Sequence, residues 1–299
     1  MDKLHLLTVF VGVVDAGGLA GASRGLGISP SAVTRAIRSL ERHLGVRLLT
    51  RTTRAVRLTE AGERYARDCR GILAALSQAD AVASDIHGEV RGCLALTAPA
   101  LFGARFVMPI VTEYLQRYPE MSASCAFVDH LVNLMTEGID VAVRIGELDD
   151  SSLQATRVGR VRRVVCAAPS YLERVGTPQR PEDLAQHCLI STATVAPPRD
   201  WRFADGDAAC VIKVKPRLTT TTNDSAIHAA IHGFGLTRQL SYQVADALRD
   251  GQLVRVLERF EPAASPIHLL HREGQHASRK ARAFLDLAIE RLRGDPTLH

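Results

Sequence analysis

The sequence lacks the features that mark membrane-spanning, disulfide-bonded and catalytic proteins. No apolar run approaches the roughly 20 residues that a bilayer-crossing helix needs. The start MDKLHLLTVFVGVVDAGG has an apolar centre, but Asp2 and Asp15 flank it and only Lys3 is basic. Helical periodicity explains it better than a signal peptide does, so a cytoplasmic chain is expected. The six cysteines (Cys69, Cys93, Cys125, Cys166, Cys188 and Cys210) stand more than 20 residues apart with no CxxC pair. That spacing argues against a disulfide framework and for reduced thiols in a reducing compartment. No GxSxG, Walker, HExxH or GxGxxG pattern occurs, and the GFG at 233–235 is too short to be a dinucleotide signature. An enzyme is not expected.

What is present is length and one concentrated charge. A chain of 299 residues with 46% hydrophobic and 23% charged residues has room for two or three domains with sizeable cores. Between Arg24 and Arg57 stand eight basic residues against the single acid Glu41, which is more than the whole chain's net +5. The positive excess lies in this one segment, which points to a polyanionic partner there.

Within the segment, Val33, Ile37, Leu40 and Leu44 fall in a narrow wedge of a helical wheel, and Ser31, Arg35, Arg38 and Arg42 fall opposite. Ser29 and Pro30 mark the helix start and Gly45 its end. Before it, LLTVFVGVV predicts a helix burying Leu7, Phe10 and Val14, and LAGASRGLG a short helix with Leu19, Ala22 and Leu26 inward. Three short helices with a tight turn at Gly27 and Ile28 form the pattern of a helix-turn-helix. After it, VRLLTRTTRAVRLT predicts two strands, near 46–49 and 56–59, around a basic turn, a wing able to place arginines on DNA. Taken alone, an arginine face is often only a solvated surface; the caps, turn and basic hairpin argue against that here.

The run LGISPSAVTRAIRSLERHLGVRLLTRTTRAVRLTEAG resembles the N-terminal signature of LysR-type transcriptional regulators, and the resemblance extends through most of the chain. Two departures are Gly18, where that family usually has a serine cap, and Gly21, where alanine is usual. Because glycine costs about 1 kcal/mol relative to alanine inside a helix, the second helix is expected to be less stable than average. The resemblance implies that Ser29, Pro30, Ser31, Thr34 and Arg35 open a recognition helix and that Arg51, Thr53 and Arg54 are wing positions. Arg35 is the best candidate for a bidentate contact to guanine, with Arg38 and Arg42 holding phosphates.

Over residues 60–88, Tyr65, Cys69, Ile72, Leu76, Ala79, Ala83 and Ile86 recur in alternating steps of four and three, a heptad seam. The stripe can pack on its own chain or on a partner, and the resemblance implies a dimerising linker helix, giving a homodimer or a homotetramer of dimers.

From Cys93 onward short β runs alternate with helices: CLALTAP, a helix at about 105–118, SASCAFV, a helix near 130–137, IDVAVRIG, VRRVVCAAP, a helix at 170–175, PEDLAQHCLI, VIKVKPRLTTTT, a helix at 224–233, IHLLHR and a last helix to about Leu292. That alternation indicates an α/β sheet architecture. The expected fold class is therefore α/β multidomain: a winged helix-turn-helix (1–59), a linker helix (60–89) and, by resemblance, a bilobal effector-binding domain (90–299) like periplasmic binding proteins. Lobe one would hold 90–161 and 266–299, and lobe two 162–265. In such folds ligands sit at the carboxyl ends of strands. The expected lining is Ala100, Leu101, Phe102, Asp129, Arg144, Ile145 and Gly146 from lobe one, and Trp201, Thr222, Asn223 and Asp224 from lobe two. Arg144 could meet a ligand carboxylate or pair with Asp140 or Glu147, and Trp201 could be ligand wall or core.

The function implied is sequence-specific binding of an operator in double-stranded DNA, modulated by a small-molecule co-inducer in the cleft that alters DNA bending and the access of RNA polymerase. No cofactor and no membrane partner are expected. Two alternatives are a DNA-binding regulator without a ligand, and metal sensing through His228 and His232, four apart on a predicted helix with no third ligand evident. A secreted solute-binding protein would explain the C-terminal part alone, but not the basic segment.

Overall fold

The structure is a computed structural model that describes residues 2–51, 56–84, 90–130, 134, 138–148, 153–193, 200–206, 208–272 and 278–298. The chain divides into two compact units, one of residues 1–89 with 132–139 and one of 90–131 with 140–299.

The first unit opens with α1 (Lys3–Asp15), α2 (Leu19–Leu26) and α3 (Pro30–Leu44). Their apolar faces converge on one core in which Phe10, Val33, Ile37 and Leu40 are fully buried and Ala22 sits at the close crossing of α2. Gly27 and Gly45 end α2 and α3 in the left-handed conformation, at φ of 64° and 69°, where a Cβ would be strained. Gly21 has a packing reason that the sequence reading did not give. A Cβ there would stand 2.8 Å from the Cβ of Ala16 and 3.0 Å from its carbonyl oxygen, so close approach of the chain, and not helix propensity, selects glycine.

The hairpin follows as β1 (Leu49–Arg51) and β2 (Val56–Leu58), antiparallel with Leu49 opposite Leu58. Its first strand starts three residues later than the sequence suggested. Glu41 is the reason: its Oε1 accepts the backbone N–H groups of Leu48 at 2.9 Å and Leu49 at 3.1 Å, tying the chain to α3 before pairing begins. The helix α4 (Glu60–Ser84) is started by Thr59, whose Oγ1 accepts from Gly62 N at 2.9 Å.

The second unit contains β3 (Gly92–Ala98), α5 (Ala100–Phe102), α6 (Met108–Arg117), β4 (Met121–Phe127), β5 (Val141–Ile145), β6 (Leu153–Val161), β7 (Arg163–Ala167), α7 (Pro169–Val175) and β8 (Leu189–Thr192). It continues with β9 (Asp200–Asp205), β10 (Ala208–Lys213), β11 (Leu218–Thr220), α8 (Asn223–Ile231), β12 (Leu236–Leu240), α9 (Ser241–Arg249), β13 (Val254–Val256), β14 (Ser265–Arg272) and α10 (Arg279–Arg293). A π-helical turn at Gly103–Val107 joins α5 to α6, so the helical stretch expected from 105 begins at Ala100. The helix expected at 130–137 lies mostly outside the described residues.

Two five-stranded sheets result, ordered β4-β3-β5-β14-β6 and β11-β8-β12-β7-β13. In each, four strands run the same way and the fourth in order, β14 or β7, runs antiparallel to both its neighbours. The chain passes from one sheet to the other at Arg162 and returns with β14, so each lobe is built from a sheet and its covering helices. The stretch VIKVKPRLTTTT is not one strand: β10 forms a hairpin with β9, and β11 joins the second sheet. Strand β12 escaped the sequence reading because it sits centrally yet buries Thr237 and Gln239, whose Nε2 donates to Thr237 Oγ1 at 2.9 Å, in place of an apolar run.

Candidate nucleic-acid interface and ligand cleft

On α3, Ser29 Oγ accepts from Ala32 N at 3.2 Å and lies 3.0 Å from Ser31 Oγ, which holds the start of the helix with free backbone donors. Pro30 is the first helical residue. Ser31, Arg35, Arg38 and Arg42 are exposed and Thr34 is half-buried, all opposite the buried Val33, Ile37 and Leu40. Arg35, Arg38 and Arg42 make no hydrogen bond or ion pair among the described residues, so their guanidinium donors face solvent. Arg51 ends β1, and Thr53 and Arg54 lie outside the described residues.

The seam on α4 divides into two parts. Cys69 is fully buried and Tyr65 packs on Phe10 with ring centroids 5.9 Å apart, so both belong to the core of their own chain. They are therefore corrected from partner contacts to core; burial also pushes the Cys69 thiol above its usual pKa. Ile72 and Leu76 remain 50% and 38% exposed. The side chains of Ala79 and Ala83, and Ile86 as a whole, lie outside the described residues.

In the second unit a cleft of about 490 Å³ opens between the two sheets, at the carboxyl ends of β4, β5, β8 and β12. Of the residues expected there, Asp129, Arg144, Ile145, Trp201 and Asn223 line it. Ala100, Leu101, Gly146, Thr222 and Asp224 lie outside its lining. Phe102 is a correction: it is fully buried, with its ring edge-on to Tyr242 at 5.3 Å, because α5 turns it into the lobe-one core.

Asp129 bridges the two walls. Its Oδ1 accepts from Ala100 N at 3.0 Å and its Oδ2 from Asn223 Nδ2 at 3.1 Å. Arg105 and Asp246 form a second link between lobes, a two-pronged pair at 2.8 and 3.2 Å. Asp140, one of the acids considered for Arg144, is held by Lys280 Nζ at 2.7 Å and by Ala95 N at 2.9 Å. Trp201 serves in both proposed senses, lining the cleft while 3% exposed in the lobe-two core.

The sequence reading missed the arginines of lobe two. Arg163 opens β7, and Arg238 sits on the neighbouring β12, two residues before Leu240, which pairs with Arg163. The two are diagonal neighbours on one face of the sheet. Arg238 Nη2 donates to Arg202 O at 2.6 Å, and its guanidinium lies 5.8 Å and 5.4 Å from the ring centroids of Trp201 and Phe203. Burial, then the like charge of Arg163, brings the Arg238 pKa down to about 9; burial lowers that of Arg163 as well. Only their spacing relative to the β runs could have pointed to them, and β12 was not legible.

A basic helix-turn-helix on one unit and a polar cleft between two α/β lobes on the other define a DNA-binding protein with a ligand-sensing module. The comparisons agree. Residues 4–63 match the model of bacterial regulatory helix-turn-helix proteins of the lysR family, and residues 87–293 match the LysR substrate binding domain. The chain is 31% identical to an HTH-type transcriptional repressor of Pseudomonas aeruginosa, covering 100% of this chain and 95% of that one. It is also 31% identical to the regulator CrgA of Neisseria meningitidis, covering 96% of each. Among solved structures, the Vibrio cholerae virulence activator AphB is similar at a TM-score of 0.66 and 28% identity, over 97% of this chain and 99% of that one. The chain belongs to the LysR family of transcriptional regulators, and it is a regulator and not an enzyme.

Proposed function

We propose that this regulator reads its operator through Ser29, Pro30, Ser31, Thr34 and Arg35 at the start of α3, with Arg38 and Arg42 on phosphates and Arg51, Thr53 and Arg54 at the wing. The division proposed is a DNA-binding part at 1–59, a linker helix at 60–89 and an effector-binding part at 90–299. The supporting observation is the two-sided α3: a fully buried apolar face and an opposite face of arginines with no hydrogen bond or ion pair among the described residues. A symmetric operator requires two such units, and the exposed Ile72 and Leu76 on α4 are the seam proposed to join a homodimer, which pairs further into a tetramer. In the cleft, Asp129, Arg144, Ile145, Trp201 and Asn223 would meet a small-molecule co-inducer, which shifts the subunit arrangement by binding one arrangement better than the other, and so alters RNA polymerase access.

Protection mapping of DNA upstream of neighbouring genes, with wild type and Arg35→Ala, tests the reading. A protected dyad-symmetric site that the variant no longer distinguishes from unrelated DNA supports it, and unchanged discrimination refutes the role of Arg35. Affinity should fall steeply with salt, with a log–log slope of about −0.9 per neutralised phosphate. A regulator without a ligand is separated by thermal shift with a metabolite panel, since a specific ligand must raise stability. The metal reading has little support: His232 Nδ1 lies 2.8 Å from His228 O, and the described residues hold no group of three metal-ligating side chains.

A further inference from the structure

The polar groups of the cleft are unevenly matched. Among the described residues, Arg144, Arg163, Arg202 and Arg238 line it together with two acids, Asp129 and Asp200. Asp129 already accepts two hydrogen bonds from the protein. Arg163, open to solvent from the cleft, makes no hydrogen bond or ion pair among the described residues, and neither does the side chain of Arg202. Two polar atoms at the same wall are buried without any partner: Arg238 Nε and Thr192 Oγ1, the latter at the end of β8. A buried donor without a partner is destabilising, and two like charges on one sheet face add to that cost. Such an arrangement is retained where something else completes it.

Resting on the reading of the cleft as an effector site, we propose that the effector is a small dianion, a dicarboxylate or a phosphomonoester, held on lobe two by Arg163 and Arg238 with the Thr192 hydroxyl donating to it. Arg163 and Arg238, neither paired with a carboxylate among the described residues, carry two positive charges, which a dianion neutralises. Planar forks suit carboxylate and phosphate oxygens equally, so both sources share this chemistry. Because Arg163 begins β7 next to the crossing between lobes, and Arg144 lines the same cleft from lobe one, an anion there lies where the two walls meet.

The test uses the full-length protein at constant ionic strength. Thermal shift is measured with succinate, glycerol 3-phosphate, the neutral diamide of succinate and putrescine, for wild type, Arg163→Gln, Arg163→Lys and Arg238→Gln. Saturable stabilisation by one dianion and not by the diamide or putrescine is expected, and which dianion acts separates a carboxylic from a phosphorylated effector. Arg163→Gln and Arg238→Gln should weaken that binding roughly tenfold to hundredfold, with Arg163→Lys in between. Without ligand, Arg163→Gln should melt no lower than wild type, since it removes a cation with no partner; this keeps the binding result separate from misfolding. Absence of saturable stabilisation by either dianion, or binding untouched by Arg163→Gln, overturns the proposal. If the diamide or putrescine stabilises instead, the cleft remains a sensor and only the charge class falls. If a dianion binds through Arg163 but leaves operator binding unaltered, the anion site stands and the effector reading falls.

Discussion

On α3, Arg35, Arg38 and Arg42 stand on an exposed face one or two turns apart, whereas Arg163 and Arg238 stand side by side in a cleft, partly stripped of water, on two strands 75 residues apart in sequence. In the function proposed, the first set meets an extended polyanion and can be spread along a helix, because phosphates repeat along DNA. The second set, as proposed, converges on one small ligand, and a sheet brings strands so distant in sequence together. The same side chain therefore serves two recognition problems, and its setting decides which.

The largest effect should come from removing the platform of the first set. Phe10→Ala empties a fully buried site and should cost about 3–5 kcal/mol. In a calorimetric scan of the whole chain, the transition of the first unit should fall while that of the second holds, because the two have separate cores. A fall of both together would deny the independence on which the comparison rests.

Ile72→Asp with Leu76→Asp should convert dimers to monomers, since both side chains are exposed on α4. Sedimentation reads this directly, and a double mutant that still dimerises removes α4 as the seam.

Within the arginine set itself, Arg35→Ala should reduce discrimination between operator and mismatched DNA by about 1–3 kcal/mol. Arg42→Ala should instead weaken all duplexes alike and lower the salt slope by about one unit, as measured by fluorescence anisotropy across salt concentrations. Equal behaviour of the two variants would erase the division between reading and anchoring.

The smallest effect concerns an arginine that already has its anion. Glu113 is held by Arg291, with Nε at 2.9 Å from Oε2, and by Arg117, and these partners bring its pKa from 4.5 down to about 2. A depressed carboxylate contributes stability that is complete above pH 4.5 and is lost as pH falls toward 2. Glu113→Gln should therefore remove a small increment of stability at pH 7 and leave the variant level with wild type near pH 2, so that the acid unfolding limb is flatter between pH 4.5 and 2. A variant with an unaltered acid limb would show that this exposed pair contributes nothing.

How far each region could be read in advance follows from the range of its interactions. Ser29, Pro30 and Gly45 announce α3 because capping is settled within a few residues, and Val33, Ile37 and Leu40 announce its buried side because helical period is local. Glu41, by contrast, looked like the one acid in a basic segment, and only folding revealed that it accepts the backbone of Leu48 and Leu49. Gly21 likewise looked like a weakness until Ala16 was seen against it. The heptad rhythm of α4 was real, but rhythm alone cannot say which partner covers it; Tyr65 and Cys69 turned out to face Phe10 and its neighbours.

The C-terminal unit shows the same limit at larger scale. Alternating β and α segments, and residues such as Asp129, Arg144 and Asn223 after strands or before a helix, followed from short-range pattern. The opposition of Asp129 to Asn223 and the placing of Arg163 diagonally beside Arg238 did not, because non-local strand pairing decides them and leaves no period in the chain. Helix faces, caps and the basic segment are consequences of neighbouring residues; the cleft and its charge balance exist only once two sheets have closed on each other.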